Sequence, residues 1–249
     1  NNRIAIIFSL KAEYAFRLFL RPKVFRKFFP LLKIFYFSYL TLYTGRYINT
    51  AMEKTTSKET ILQNALTLFA EKGFDSVGIA EICESAQITK PTLYYFFKSK
   101  DGLLEEILKN FLVPLNQNLR QWGAYEPVPD EYEKDVYALL TRICNGLFEY
   151  MMQNRDFALL FVSVLIAPPD SKTAQIAQPL AGDFNEFFTE VFYKISSVHK
   201  NVKNKELLLG WLFSTQLMAA VNLWLKGSLE LNPDFSHALV HQFMHGIYA

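Results

Sequence analysis

A short stretch of this chain carries side chains suited to holding a nucleic acid. Thr89, Lys90, Thr92 and Tyr95 fall on the outward side of a helix predicted over about Lys90–Phe96, and Leu93 and Phe97 fall on the opposite side. A short helix with a polar, basic and aromatic outer face fits a major groove. There Lys90 and Thr92 can bond base edges or phosphate oxygens, and the Tyr95 ring can meet phosphate or a thymine methyl. Lys98 adds positive charge, and Lys100 stands where the free amides of a following helix can join it on a backbone phosphate. No catalytic set accompanies these residues: there is no Walker loop, no GxSxG and no GxGxxG. His237, His241 and His245 recur every four residues on one predicted helix, a spacing that can bind metal in principle. With no acid or cysteine ligand close by, they read as a surface or interface face, and no metal is expected. Cys83 and Cys144 make neither a disulfide framework nor a zinc site and are expected as reduced thiols.

The elements that must position these side chains are helical from Thr55 onward. Thr56-x-x-Glu59 reads as a capping box. Ile61, Leu62, Ala65, Leu66, Leu68 and Phe69 follow at helical spacing, and Gly73 ends the run. A second helix is predicted over about Gly78–Ser85, a turn over Ala86–Thr89, and a fourth helix from about Lys100 to Gln121. Ile79, Ile82, Ala86, Ile88, Leu93 and Phe97 can close over the first helix, which leaves the outward face of the third free. Gly123–Pro129 is a predicted seam between domains. Beyond it helices are expected over about Asp130–Gln153, Arg155–Ala167, 171–197 with a break at Pro179, Glu206–Lys226, and from Asn232-Pro233-Asp234 to the end. No stretch alternates as a strand does, so the class is all-α.

The run from Gly73 to Leu104 resembles the N-terminal domain of the TetR/AcrR family. The resemblance covers about residues 55–115. It rests on Phe69-x-x-x-Gly73, the Ile82 to Ala86 spacing, Thr89-Lys90-x-x-Leu93-Tyr94, and Phe97-x-x-Lys100-x-x-Leu103. It implies an N-terminal three-helix helix-turn-helix domain followed by a C-terminal helical domain for ligand binding and dimerisation. It also implies that Lys90, Pro91, Thr92, Tyr94 and Tyr95 read DNA, with Gly78 at the opening of the second helix and Lys98 and Lys100 on the backbone. Inward packing of Tyr94 is an equal alternative. Three positions depart from the family's habit. Gln87 stands where Gly is usual, which demands an unusual backbone at a non-glycine residue or a somewhat different turn. Phe96 replaces a usual His, and Val77 and Gly78 replace the Thr/Ser pair that opens the second helix, leaving Ser76 as a candidate cap.

Residues 124–249 carry no named motif, but their composition is directional. The predicted helix over about 206–228 is apolar nearly all round, so one face meets the core and another a partner. With the last helix, about 234–248, it can complete a four-helix interface across a two-fold axis, as the resemblance implies for a homodimer on a pseudo-palindromic operator in double-stranded DNA. The middle helices are rich in aromatics and methionine. In the resembling family such helices enclose a small-molecule effector, here expected to be apolar or amphipathic. Trp122, Phe148, Met152 and Phe161 are the candidate ligand contacts, with hydrophobic core as the alternative for each. Arg142, Asn145 and Gln216 sit among apolar neighbours and could orient a ligand. No other cofactor is expected.

Charge divides the chain. Residues 1–50 hold nine Lys/Arg against Glu13 alone, a net of +8, whereas 51–249 total −6 from 17 basic and 23 acidic residues. Residues 1–51 are expected to be a non-native or disordered extension, with Met52 as the start. The alternatives are a membrane-surface segment or a basic arm on DNA; the longest uncharged run, Ile34–Gly45, has 12 residues, short of a spanning helix. The expected function is a cytoplasmic, ligand-released dimeric repressor, not an enzyme. The alternative is a membrane-associated helical interaction protein anchored by the N-terminal segment.

Overall fold

The computed structural model describes residues 58–126 and 132–246, and the regular structure among them is helical throughout. Thr56 of the expected capping box, the extension over 1–51, Pro127 to Asp130 of the seam, and Ile247 lie outside the described residues.

Helix α1 covers 58–72 and buries Ile61, Ala65 and Phe69, one face at a spacing of four. Gly73 ends it with φ +81, and its amide bonds to the Phe69 carbonyl at 3.0 Å. Helix α2, Ile79–Ser85, and helix α3, Lys90–Phe97, follow. Between them Gln87 takes φ +53, the left-handed conformation expected where a glycine is missing. The Gln87 and Ile88 amides bond back to Glu84 and Cys83 carbonyls, which holds the turn against a cost of roughly 1–2 kcal/mol for a residue with a Cβ. Helix α4, Lys100–Trp122, starts on the Ser99 side chain, which accepts from the Gly102 amide at 2.9 Å. A Cβ on Gly102 would lie 2.3 Å from the Phe97 carbonyl oxygen, so this junction requires glycine.

Helices α5 (Tyr132–Gln153), α6 (Arg155–Leu165), α7 (Lys172–Ser196), α8 (Glu206–Leu225) and α9 (Pro233–His245) complete the body. Two sequence expectations are corrected. Helix α6 stops at Leu165, two residues before Ala167. Helix α7 does not break at Pro179 but runs through it. Pro179 is exposed, while Thr173 and Ala177 before it and Ala181 and Phe184 after it are buried, so packing on both sides outweighs the lost hydrogen bond.

The core is a relay of phenylalanine rings. Phe111 of α4 stacks on Phe157 of α6 at 4.7 Å, and Phe157 on Phe161 at 5.4 Å. Phe161 meets Phe184 of α7 edge-on at 5.3 Å, Phe188 meets Phe213 of α8 at 6.1 Å, and Phe213 meets Phe243 of α9 at 5.0 Å. Each such pair adds about 0.5–1.5 kcal/mol beyond its buried area. Gly210 lets α8 approach α7 so closely that a Cβ there would lie 2.8 Å from the Thr189 backbone nitrogen. Its neighbours Phe213, Leu217 and Val221 are buried, whereas Leu207, Leu208, Trp211, Leu212 and Leu223 on the same helix are each about half exposed. The apolar-all-round pattern thus resolves into one face in the core and one outside. The helix is long and apolar enough to cross a membrane by length and composition alone.

Among the polar contacts that tie α1–α4 to the rest are two between side chains far apart in sequence. Thr67 of α1 donates to Asp156 of α6 at 2.8 Å, and Lys172 of α7 pairs with Asp101 of α4 at 2.8 Å.

Candidate nucleic-acid interface

Helix α3 is anchored by Leu93, fully buried, and Phe97, 5% exposed. Their spacing of four fixes which side faces out. Lys90, Pro91, Tyr94 and Tyr95 are exposed and Thr92 is half-buried, so the outward set agrees with the helical phase read from the sequence. Tyr94, for which inward packing was an equal alternative, is 46% exposed; Tyr95 is 68% exposed. The Tyr95 ring meets Phe96 edge-on at 5.1 Å, so the phenylalanine in the place of the usual histidine steadies the tyrosine. Thr89 is the N-cap: its hydroxyl accepts from the Thr92 amide at 3.4 Å and lies 2.9 Å from the Thr92 hydroxyl. That hydroxyl is engaged in starting the helix.

Lys98 is exposed and closes α3 with φ +62, its amide bonded to the Tyr94 carbonyl. Lys100 corrects the sequence reading. Its Nζ donates to the carbonyls of Phe74 at 2.8 Å and Val77 at 3.0 Å, and sits 4.2 Å from the centre of the Phe74 ring. The ammonium is thus turned onto the loop between α1 and α2. A lysine at a helix start looks the same in sequence whether it points to phosphate or to carbonyls more than twenty residues earlier in the chain.

Gly78, not Ser76, is the N-cap of α2, and no side chain caps it. Val77 is 1% exposed and packs in the core, where an apolar side chain suits better than a threonine. Gly78, Tyr94, Ser99, Lys100, Asp101 and Lys172 line an open groove of about 530 Å³ beside α3. Lys172 and Asp101 were not singled out from sequence. They lie 71 positions apart, and only the packing of α7 on α4 brings them together.

The candidate effector contacts are not brought into one cavity. Phe148 and Phe161, 2% and 0% exposed, are packed in the core, and Met152 is 40% exposed at the surface. Trp122 lines a separate groove of about 560 Å³ with Tyr137, Thr141, Arg142, Asn145 and His237. Arg142 donates there to the carbonyls of Trp122 and Ala124, both at 2.6 Å, and so closes the end of α4. Gln216 Oε1 and Asn116 Oδ1 are buried with no hydrogen-bond partner among the described residues. Among the described residues no group of three or more His, Cys, Asp or Glu is placed to hold a metal.

Residues 61–107, which hold α1 to the start of α4, match the family described as bacterial regulatory proteins, tetR family. That segment is similar to the DNA-binding part of the TetR family. The chain is 40% identical over 67 residues to the biofilm operon icaADBC HTH-type negative transcriptional regulator IcaR of Staphylococcus aureus, covering 24% of this chain and 36% of that protein. It is 36% identical over 82 residues to the HTH-type transcriptional repressor KstR2 of Mycolicibacterium smegmatis, covering 33% of this chain and 37% of the relative. The match thus spans about a third of the length of these curated relatives. The TetR-type fold extends further. The fatty acid degradation regulator FadR from Bacillus halodurans superimposes with TM-score 0.63 at 14% identity, over 77% of this chain and 96% of that one. FadR from Bacillus subtilis, solved in complex with stearoyl-CoA, gives TM-score 0.63 at 13% identity, over 76% and 99%. The local match and the fold similarity together cover the DNA-binding segment and the helical body. The outer face of α8 is exposed at Leu207, Leu208, Trp211 and Leu212.

Proposed function

We propose that this chain is a dimeric, ligand-released DNA-binding repressor acting in the cytoplasm. The reading is carried by the outward side of α3: Lys90, Thr92, Tyr94 and Tyr95 stand on a helix clamped by Leu93 and Phe97, inside a segment of TetR type. Residues 55–115 would bind DNA, and residues 124–249 would bind effector and dimerise.

The dimer reading is supported by the outer face of α8. Leu208 and Trp211, 58% and 56% exposed, are large apolar groups of the kind that anchor interfaces. Paired through α8 and α9, two copies would present two copies of α3 to a pseudo-palindromic operator. The effector is proposed as a small apolar or amphipathic molecule among the aromatic helices α5–α7. The aromatic relay offers apolar surface, and the orphaned amide oxygens of Gln216 and Asn116 offer polar contacts. The fold's similarity to a regulator solved with stearoyl-CoA agrees with that class. Effector binding would shift the population of α4 orientations and so the spacing of the two reading helices.

A gel shift and footprint on the DNA upstream of the protein's own gene test the reading. Protection of two half-sites supports it. No protection by a folded dimer at any site refutes it.

A further inference from the structure

The histidines of α9 separate into two kinds. His237 is held by α5: its Nδ1 lies 2.9 Å from the Tyr137 hydroxyl, and its ring stacks on Tyr137 at 5.8 Å. His241 and His245 lie one and two turns further on. Both are exposed, and their ring centres are 4.6 Å apart with planes inclined at 43°. Side chains four apart on a helix stand one above the other, which brings two imidazoles within reach of one ion. The turn that carries them is closed, because the Gly246 amide bonds to the Gln242 carbonyl at 2.8 Å.

Two neutral imidazoles at this separation can each give a nitrogen to a metal at about 2.0–2.1 Å after small rotations of the rings. Imidazole donors select zinc, nickel and copper over magnesium and calcium, which prefer oxygen. With two protein ligands the remaining coordination positions are left to water or to a third group. We propose that His241 and His245 form a two-histidine site for a late first-row divalent cation of the zinc, nickel or copper class. The site stands on one chain and does not depend on the DNA-binding reading.

The test is calorimetric titration of the untagged full chain with zinc, nickel or copper(II) chloride in a non-chelating buffer, with thermal unfolding run in parallel. Saturable binding is expected, copper tightest, with an unfolding midpoint that rises with metal concentration. His241→Ala and His245→Ala should each weaken binding at least tenfold and abolish the midpoint rise. His237→Ala should leave binding within about twofold, because that ring is committed to Tyr137. Circular dichroism of the metal-free variants separates loss of a ligand from loss of the helix. No saturable binding, binding untouched by His241→Ala and His245→Ala, or equal binding of magnesium overturns the proposal.

Discussion

The Thr67 hydroxyl donates to Asp156 Oδ2 at 2.8 Å, joining helix α1 to helix α6. Asp156 lies in the first turn of α6, where a carboxylate is favoured by the helix dipole and where it flanks Phe157 of the aromatic relay. A shift of that relay therefore reaches α1 through one hydrogen bond. Thr67→Val and Asp156→Ala should each lower stability, and together by less than their sum, with a coupling of about 1 kcal/mol in urea unfolding. Strict additivity would show that the contact carries nothing.

Lys90 and Lys100 should fail in different ways. Lys90 is exposed on α3, so Lys90→Ala should weaken DNA binding across sequences and reduce the salt slope by about one, with little change in stability. Lys100 spends its donors on Phe74 and Val77, so Lys100→Ala should destabilise the fold by about 1–3 kcal/mol, leaving two carbonyls without their donor. Its salt slope should match that of the parent once unfolding is corrected for. Unfolding curves and salt-dependent binding isotherms on both variants check this.

Alkaline pH should destabilise the fold through two acids, Cys144, which is buried, and Tyr150, which is half-buried. Burial pushes the Cys144 thiol from an ordinary value near 9 up to about 12, with a Ser236 hydrogen bond opposing. Burial pushes the Tyr150 phenol from near 10 up to about 12. Both groups keep their protons longer in the folded state, so the stabilisation is complete below pH 9 and is lost as pH rises toward 12. The urea midpoint should hold steady between pH 7 and about 8.5 and fall above it, and Cys144→Ala should make that fall shallower.

Helix α8 should make the dimer. Trp211→Glu puts a charge on a face that is otherwise leucine and tryptophan. It should raise the dimer dissociation constant about a hundredfold or more, with helical content unchanged. Sedimentation equilibrium reads this directly; a dimer as tight as the parent would place the interface elsewhere.

The helix-turn-helix was legible in the sequence because its determinants are local. The phase of Leu93 and Phe97 decides which way Lys90 and Tyr95 point, and Gln87 in a glycine's place announces its own positive φ. What was not legible depends on distant packing. The break expected at Pro179 vanishes because Ala177 and Ala181 are both held on the body. Lys100 turns inward because the α1–α2 loop brings two carbonyls to it. Phe148 and Phe161 suit core more readily than ligand wall, but a single side chain's type does not decide between them. The pairing of Lys172 with Asp101 has no local signal at all.

The most direct test is a footprint of parent and Tyr95→Ala protein on the DNA upstream of the gene, at matched salt and at concentrations above dimerisation. The parent should protect two half-sites with centres about 34 Å apart, or a multiple of that, on one side of the duplex. Tyr95→Ala, folded and dimeric, should lose that protection or require at least tenfold more protein. Equal protection by both, or protection by neither, would contradict the assignment of α3 as the reading helix.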